Sequence, residues 1–252
     1  MFCKFASFVT YMNLVIDQGN TFVKLAVFEN SRLVDLDSVS YCEAEEMLKK
    51  IFKKNEIKQV IWSSVGEAMP FFDTFLDNKV VLRLTSETLV PFFNNYGSPR
   101  SLGVDRIALA AAAAVNYPKK NVLVIDAGTC ITFEFKNAND EYLGGAIAPG
   151  IQMRFKALHD YTAKLPLVSL ASVEDFIGNN TETSILSGVV NNVVQEIDGV
   201  INQYLARFED LTVILTGGDT LFLAERVKNT IFANPNFLLE GLNAILEHNT
   251  HG

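Results

Sequence analysis

The chain carries one strand signature twice. Residues 14–17 read Leu-Val-Ile-Asp and are followed by Gln18-Gly19-Asn20-Thr21. Residues 123–126 read Leu-Val-Ile-Asp again, followed by Ala127-Gly128-Thr129. Each apolar run ends in Asp, passes through Gly and Thr, and enters a second strand-like run, Phe22–Phe28 or Ile131–Phe135. Polar turn residues close each copy, so each reads as strand, tight turn, strand, turn. The aspartates are 126 − 17 = 109 residues apart. Solenoid repeats recur every 20–50 residues or so. The longer spacing fits a duplicated domain.

The remaining pattern alternates between the two periods. Cys42–Lys54 reads as a helix with lysines at its C-terminus, where the helix dipole favours them. Gln59–Val65 reads as a buried strand, and Asp105–Val115, with its alanine run, as a closely packing helix. Asn116-Tyr-Pro-Lys-Lys120 breaks that helix and suggests a domain boundary. Further on, Ile185–Phe208, Thr220–Lys228 and Leu239–Glu247 read as helices and Leu211–Leu215 as a strand. The expectation is an α/β protein of two similar halves with a cleft between them, residues 12–118 and 119–252. Met1–Tyr11 lacks the apolar length and cleavage site of a signal peptide, and reads as a short extension with Met12 as an alternative start.

Composition narrows the functions. With 21 basic and 29 acidic residues the formal charge is −8, which argues against an electrostatic grip on nucleic acid. No apolar run reaches the roughly 18 residues of a membrane span. Three scattered cysteines form neither a disulfide framework nor a metal-ligand spacing, which suits a reducing cytoplasm. The three histidines are equally scattered, and the P-loop, dinucleotide and zincin motifs are absent from the sequence.

The repeated turn points to phosphate. Gly19 and Gly128 lack a Cβ, so an anion can approach the backbone amides. Thr21 and Thr129 add hydroxyl donors, and Lys24 follows three residues after Thr21. Asp17 and Asp126, at strand ends, suit a hard cation held jointly with phosphate oxygens. One copy alone would read as a plain hairpin; two matched copies favour a nucleotide. Thr216-Gly217-Gly218-Asp219, Gly144-Gly145 and Pro149-Gly150 read individually as turns.

Tandem units of this kind followed by Thr-Gly-Gly resemble the ribonuclease H-like, actin-like and sugar-kinase ATPases. Within them the chain is similar to the type III pantothenate kinases. The resemblance runs, in order, through Asp17-Gln-Gly-Asn-Thr-Phe-Val-Lys24, Tyr96-Gly-Ser-Pro99, Leu102-Gly-Val-Asp-Arg106 and Asp126-Ala-Gly-Thr129. It continues through Gly144–Gly150, Thr162–Pro166, Gly178-Asn-Asn-Thr181 with Ser187-Gly188, and Thr216-Gly-Gly218.

That resemblance implies roles. Asp17, Gln18, Gly19, Asn20, Thr21, Phe22, Val23 and Lys24 would hold ATP phosphates, with Thr129 adding a contact and Asp17 a candidate Mg²⁺ ligand. Tyr96, Gly103, Val104, Asp105, Arg106 and Thr181 would bind pantothenate, Thr181 across a homodimer interface. Asp105 would be the general base, and Asp126 would hold K⁺ or NH₄⁺. The implied reaction is ATP-dependent phosphorylation of pantothenate, towards coenzyme A, in the cytoplasm, with no nucleic acid or membrane partner. Where the family often has Gly-Thr-Ala-Thr-Thr, this chain has Gly128-Thr-Cys-Ile-Thr132, which leaves Thr132 as the hydroxyl there.

Residue by residue, plainer roles stand beside these. Asp105 is also placed to cap a helix and Thr181 to cap the next one. Lys24 could face solvent, Tyr96 could pack a loop, and Cys130 reads as a small apolar side chain. Two other functions fit the scaffold: a different small-molecule kinase, or a non-catalytic regulatory relative. The retention of Asp17, Asp105 and Asp126 argues against the second.

Overall fold

A computed structural model describes residues 12–19, 22–64, 71, 79–173 and 175–250. Met1–Tyr11, Asn20, Thr21 and Val65 of the expected elements lie outside that set. Contacts group the chain into two units that are not contiguous in sequence. The first takes residues up to 91, 98–112 and 239 onward; the second takes 92–97 and 113–238. The C-terminal segment thus joins the first unit rather than running with the second half of the sequence.

The first unit is built on a five-stranded sheet in the order β3-β2-β1-β4-β5. Its strands are β1 (Met12–Gln18), β2 (Val23–Glu29), β3 (Arg32–Val39), β4 (Ile57–Ser64) and β5 (Val80–Arg83). β1, β2 and β3 run antiparallel as a meander, and β4 and β5 add in parallel on the far side of β1. Helix α1 (Ala44–Lys54) makes the crossover to β4. Glu45 and Glu46 sit in its first turn and Lys53 and Lys54 in its last, matching the helix dipole. Its buried side, Ala44, Leu48 and Ile51, closes on Leu14, Ile16, Leu25, Val27 and Trp62. β1 is buried on both faces, because four consecutive residues, Asn13–Ile16, are covered.

The second unit repeats the plan. Its sheet has the order β11-β10-β7-β8-β9-β6. Here β7 (Asn121–Ala127), β8 (Cys130–Lys136) and β9 (Glu141–Pro149) form the meander, and β10 (Leu211–Thr216) and β11 (Phe232–Ala233) add in parallel. Strand β6 (Phe93–Asn94) extends the edge beside β9. Gly144 and Gly145, expected as a turn, lie within β9. Gly145 is needed there because a Cβ would fall 1.5 Å from the Phe133 carbonyl oxygen on β8.

Five of the helices revise the expected boundaries, α1 by starting at Ala44 rather than Cys42. The alanine-rich helix α2 runs Val104–Asn116, and its residues Ile107–Ala114 are all buried. α3 (Ile151–Asp160) follows β9 directly and was not expected. α4 (Thr181–Leu205) starts four residues earlier than the apolar pattern, because Asn180 and Thr183 form a capping box at its start. Asn180, not Thr181, is therefore the cap. α5 stops at Thr220–Ala224. The buried Asp198 carboxylate accepts the Lys228 and Asn229 N–H groups and draws that segment out of the helix. α6 (Phe237–Thr250) is longer than expected at both ends.

Candidate phosphate and acceptor sites

In the first unit, Asp17 is the penultimate residue of β1, and the chain reverses into β2. The Gly19 N–H donates to the Phe22 carbonyl (3.1 Å), and the Tyr41 hydroxyl donates to the Gly19 carbonyl. Gln18 and Val23 are buried, and Phe22 is exposed. Asp17 faces Lys24 across the hairpin and Ser63 on β4. Ser63 is almost fully buried and carried no sequence signal beyond its place at the end of a parallel strand.

Burial pushes the Asp17 carboxyl up to about 6; Lys24 pulls it down and the charge of Asp105 pushes it further up. Asp17, Lys24 and Asp105 are therefore one electrostatic group. A carboxylate so buried is short of positive charge, the condition in which a cation or a cation-bound phosphate binds favourably.

Asp105 is the second residue of α2. Its Oδ1 accepts the Arg106 N–H at 2.9 Å, and the Ile107 N–H turns back to the Gly103 carbonyl, so Gly103 starts the helix. A Cβ on Gly103 would lie 2.5 Å from Asp105 Oδ1. Glycine there makes room for the carboxylate. Val104 is half-buried, and Arg106 is buried rather than on the surface.

The second unit holds the remaining expected site residues. Its hairpin closes with the Gly128 N–H on the Cys130 carbonyl (2.9 Å), and Thr129 is exposed at the tip. The Gly150 N–H donates to the Thr129 carbonyl, and a Cβ on Gly150 would meet the Gly128 and Thr129 carbonyls at 2.1 and 2.5 Å. Pro149-Gly150 is thus a buttress under the loop and not merely a turn.

Asp126 faces Thr132 on β8 and Thr216 on β10. Both threonine hydroxyls are buried without a hydrogen-bond partner. Gly217 has φ +95°, and a Cβ there would lie 2.3 Å from Asp126 Oδ1. Beside it, burial raises the Asp219 carboxyl.

Tyr96 and Thr181 occupy separate places in this unit. The Tyr96 ring rests on β9, 6.0 Å from the Tyr142 ring, and a Cβ on Gly144, where φ is +100°, would fall 3.0 Å from it. Thr181 is exposed at the start of α4, on a groove of about 580 Å³ with Leu158, Leu165, Ser184, Ile185, Gly188 and Val189.

Among the described residues, no group of three or more His, Cys, Asp or Glu side chains could hold a metal ion. No helix among them is long and apolar enough to cross a membrane.

These two acidic hairpins on duplicated sheets coincide with a known family. The family model described as type III pantothenate kinase matches residues 13–203. The chain belongs to that family. A type III pantothenate kinase of Christiangramia forsetii is 51% identical over 246 residues, covering 94% of this chain and 99% of the relative. Those of Flavobacterium johnsoniae and Bacteroides fragilis are 47% and 40% identical, each over 94% of this chain and 98% of the relative.

Solved structures carry the fold further out. A Campylobacter jejuni protein described under the Baf family of transcriptional activators aligns with TM-score 0.61 at 21% identity, over 95% of this chain and 100% of that one. A ROK hexokinase of Thermus thermophilus aligns at 0.52 and 11% identity, over 94% and 99%. At such identities the likeness is one of fold, the actin-like α/β fold shared with sugar kinases.

Proposed function

We propose that the chain transfers the γ-phosphoryl group of ATP to the primary hydroxyl of pantothenate, giving 4′-phosphopantothenate and ADP. The observation that carries this reading is the family match from 13 to 203, which spans both acidic hairpins and the Gly103–Arg106 segment. Phosphoryl transfer of this kind depends on positioning and charge neutralisation more than on covalent chemistry.

In this reading residues 17–24 hold the ATP phosphates, and Thr129 adds a contact. Asp105 takes the proton of the pantothenate hydroxyl as its oxygen attacks the γ-phosphorus. The bond to the bridging oxygen breaks and ADP leaves. Arg106 pairs with the pantothenate carboxylate, a planar anion matched to a guanidinium fork. Gly103, Val104, Tyr96 and, from the other copy in a homodimer, Thr181 complete the acceptor site. The Asp17 carboxyl, which burial raises despite Lys24 facing it, suits Mg²⁺ brought in on the nucleotide, and the Asp126 row suits K⁺ or NH₄⁺. These ions supply charge neutralisation for the phosphates. The cytoplasm is the compartment this chemistry and the free cysteines among the described residues, Cys42 and Cys130, suit.

The test is ADP release measured with and without pantothenate. Asp105→Asn should lower kcat by at least about 10²-fold and leave ADP binding and thermal stability near wild type. Unchanged turnover removes Asp105 from the mechanism. Phosphorylation of a sugar or acetate, with none of pantothenate, would instead favour another small-molecule kinase.

A further inference from the structure

The two hairpins differ at one position that decides where positive charge comes from. Residues that face each other on neighbouring strands put their side chains on the same side of the sheet. Asp17 is flanked by Lys24 on the antiparallel side and Ser63 on the parallel side. Asp126 is flanked by Thr132 and Thr216 on the same two sides. The sheets have the same strand order around these rows. Ser63 therefore corresponds to Thr216, and Lys24 to Thr132.

The first row carries its own ammonium group. The second has two hydroxyls in its place, Thr132 at 8% and Thr216 at 1% exposure, and neither oxygen has a hydrogen-bond partner. A buried hydroxyl left unsatisfied costs free energy and is uncommon in folded chains. Two such oxygens beside one carboxylate make a donor set of low total charge. It suits a singly charged, weakly hydrated cation better than Mg²⁺, which prefers octahedral geometry and keeps several waters. Gly217 keeps the neighbouring space free of a side chain at Asp126.

We propose that Thr132 and Thr216 are ligands of a monovalent cation beside Asp126, and that this ion stands where the Lys24 ammonium stands in the first hairpin. The residue at position 132 then determines whether the hairpin carries a tethered charge or a diffusible one. The proposal rests on the reading that Asp126 holds a cation, and it names the other ligands and the reason one is needed.

The experiment is a K⁺ titration of thermal unfolding of the full chain, with and without ADP. Tetramethylammonium chloride replaces KCl at constant ionic strength, so that general screening cancels. The wild type should gain stability saturably with K⁺ or NH₄⁺ under at least one of the two conditions. Thr132→Val and Thr216→Val should each raise the half-saturating K⁺ concentration at least tenfold, and Thr132→Ser should keep it within about threefold. Thr132→Lys should make unfolding and ADP binding indifferent to K⁺. If that variant does not fold, the valine and serine variants decide.

Half-saturation unchanged within twofold in both valine variants overturns the proposal. Loss of the K⁺ response in Asp126→Asn alone would then leave the ion at Asp126 with other ligands. Absence of any K⁺ response in the wild type overturns both the ligand assignment and the cation reading, while pantothenate phosphorylation is scored separately by ADP release.

Discussion

At the scale of single residues, the buried carboxyl of Asp17 has the largest consequence. Its ordinary value is 3.8 and the fold raises it to about 6, chiefly by burial. The folded chain therefore holds a proton that the unfolded chain gives up between pH 3.8 and 6. Stability from this group is greatest at low pH and falls as pH rises through that window, by at most about 3 kcal/mol at pH 7. Asp17→Asn should accordingly raise the pH 7 stability of the nucleotide-free chain and flatten its stability profile between those values. Chemical denaturation at pH 4.5 and 7 measures this, and a larger wild-type stability at pH 7 than at pH 4.5, corrected by the variant, contradicts it. Nucleotide with Mg²⁺ should stabilise the wild type more at pH 7 than at pH 5, because it supplies the missing charge. The sequence shows that Asp17 ends a strand, but not that it is buried or that Asp105 adds to its field. Ser63 and Asp105 act on it from 46 and 88 positions further along the chain. No local pattern encodes such a meeting.

At the scale of elements, the strands flanking each aspartate were legible because an apolar run, a Gly-containing turn and a second run leave few alternatives. β9 was not, since Gly144 and Gly145 interrupt it with turn-like residues. Their role appears only once the Phe133 carbonyl and the Tyr96 ring are seen to press against them. The end of α5 was hidden for a similar reason, because Asp198, the group that captures Lys228 and Asn229, lies on a distant helix. Gly150, where β9 meets α3, gives the sharpest element-level test. Alanine there drives a methyl group against two hairpin carbonyls, while φ is an ordinary −70°. Overpacking of this kind usually costs about 1–3 kcal/mol. Gly150→Ala should therefore lower stability by that amount, and, on the proposal that Thr129 contacts ATP, it should weaken ADP binding because the displaced carbonyls belong to that loop. Gly199→Ala within α4 is the control. A Cβ there meets nothing within 4 Å, so helix propensity should raise stability by up to about 1 kcal/mol. Equal thermal shifts for the two variants would contradict the close packing at Gly150.

At the scale of the whole molecule, the duplication visible in the sequence reappears as two sheets of matching strand order, but the chain does not divide where the sequence breaks. Its last helix belongs with its first strands. α6 buries Leu239, Leu242, Ile245 and Leu246 in the first unit, each at most 1% exposed. Gly241 lets it lie against α2, where a Cβ would meet the Ala108 carbonyl oxygen at 1.9 Å. The buried amides of Asn13 and Asn243 join β1 to α6 at 2.9 Å, and Asn243 continues to Glu247. Nothing in the apolar pattern of 237–250 says which sheet it covers, so this return was illegible from sequence. Four buried leucine-sized side chains are worth about 6–12 kcal/mol as an upper estimate. That is comparable to the whole stability of a domain. A chain ending at residue 236 should therefore lose the first unit while keeping much of the second. Trp62, the sole tryptophan, is 4% exposed and lies in the first unit, so its fluorescence reports on that unit. Its emission should shift to that of a solvated indole in the truncated chain, while far-UV circular dichroism retains the helical signal of α4. A native-like Trp62 emission after truncation would show that the first unit stands without its last helix, and that the buried leucines contribute far less than their area suggests.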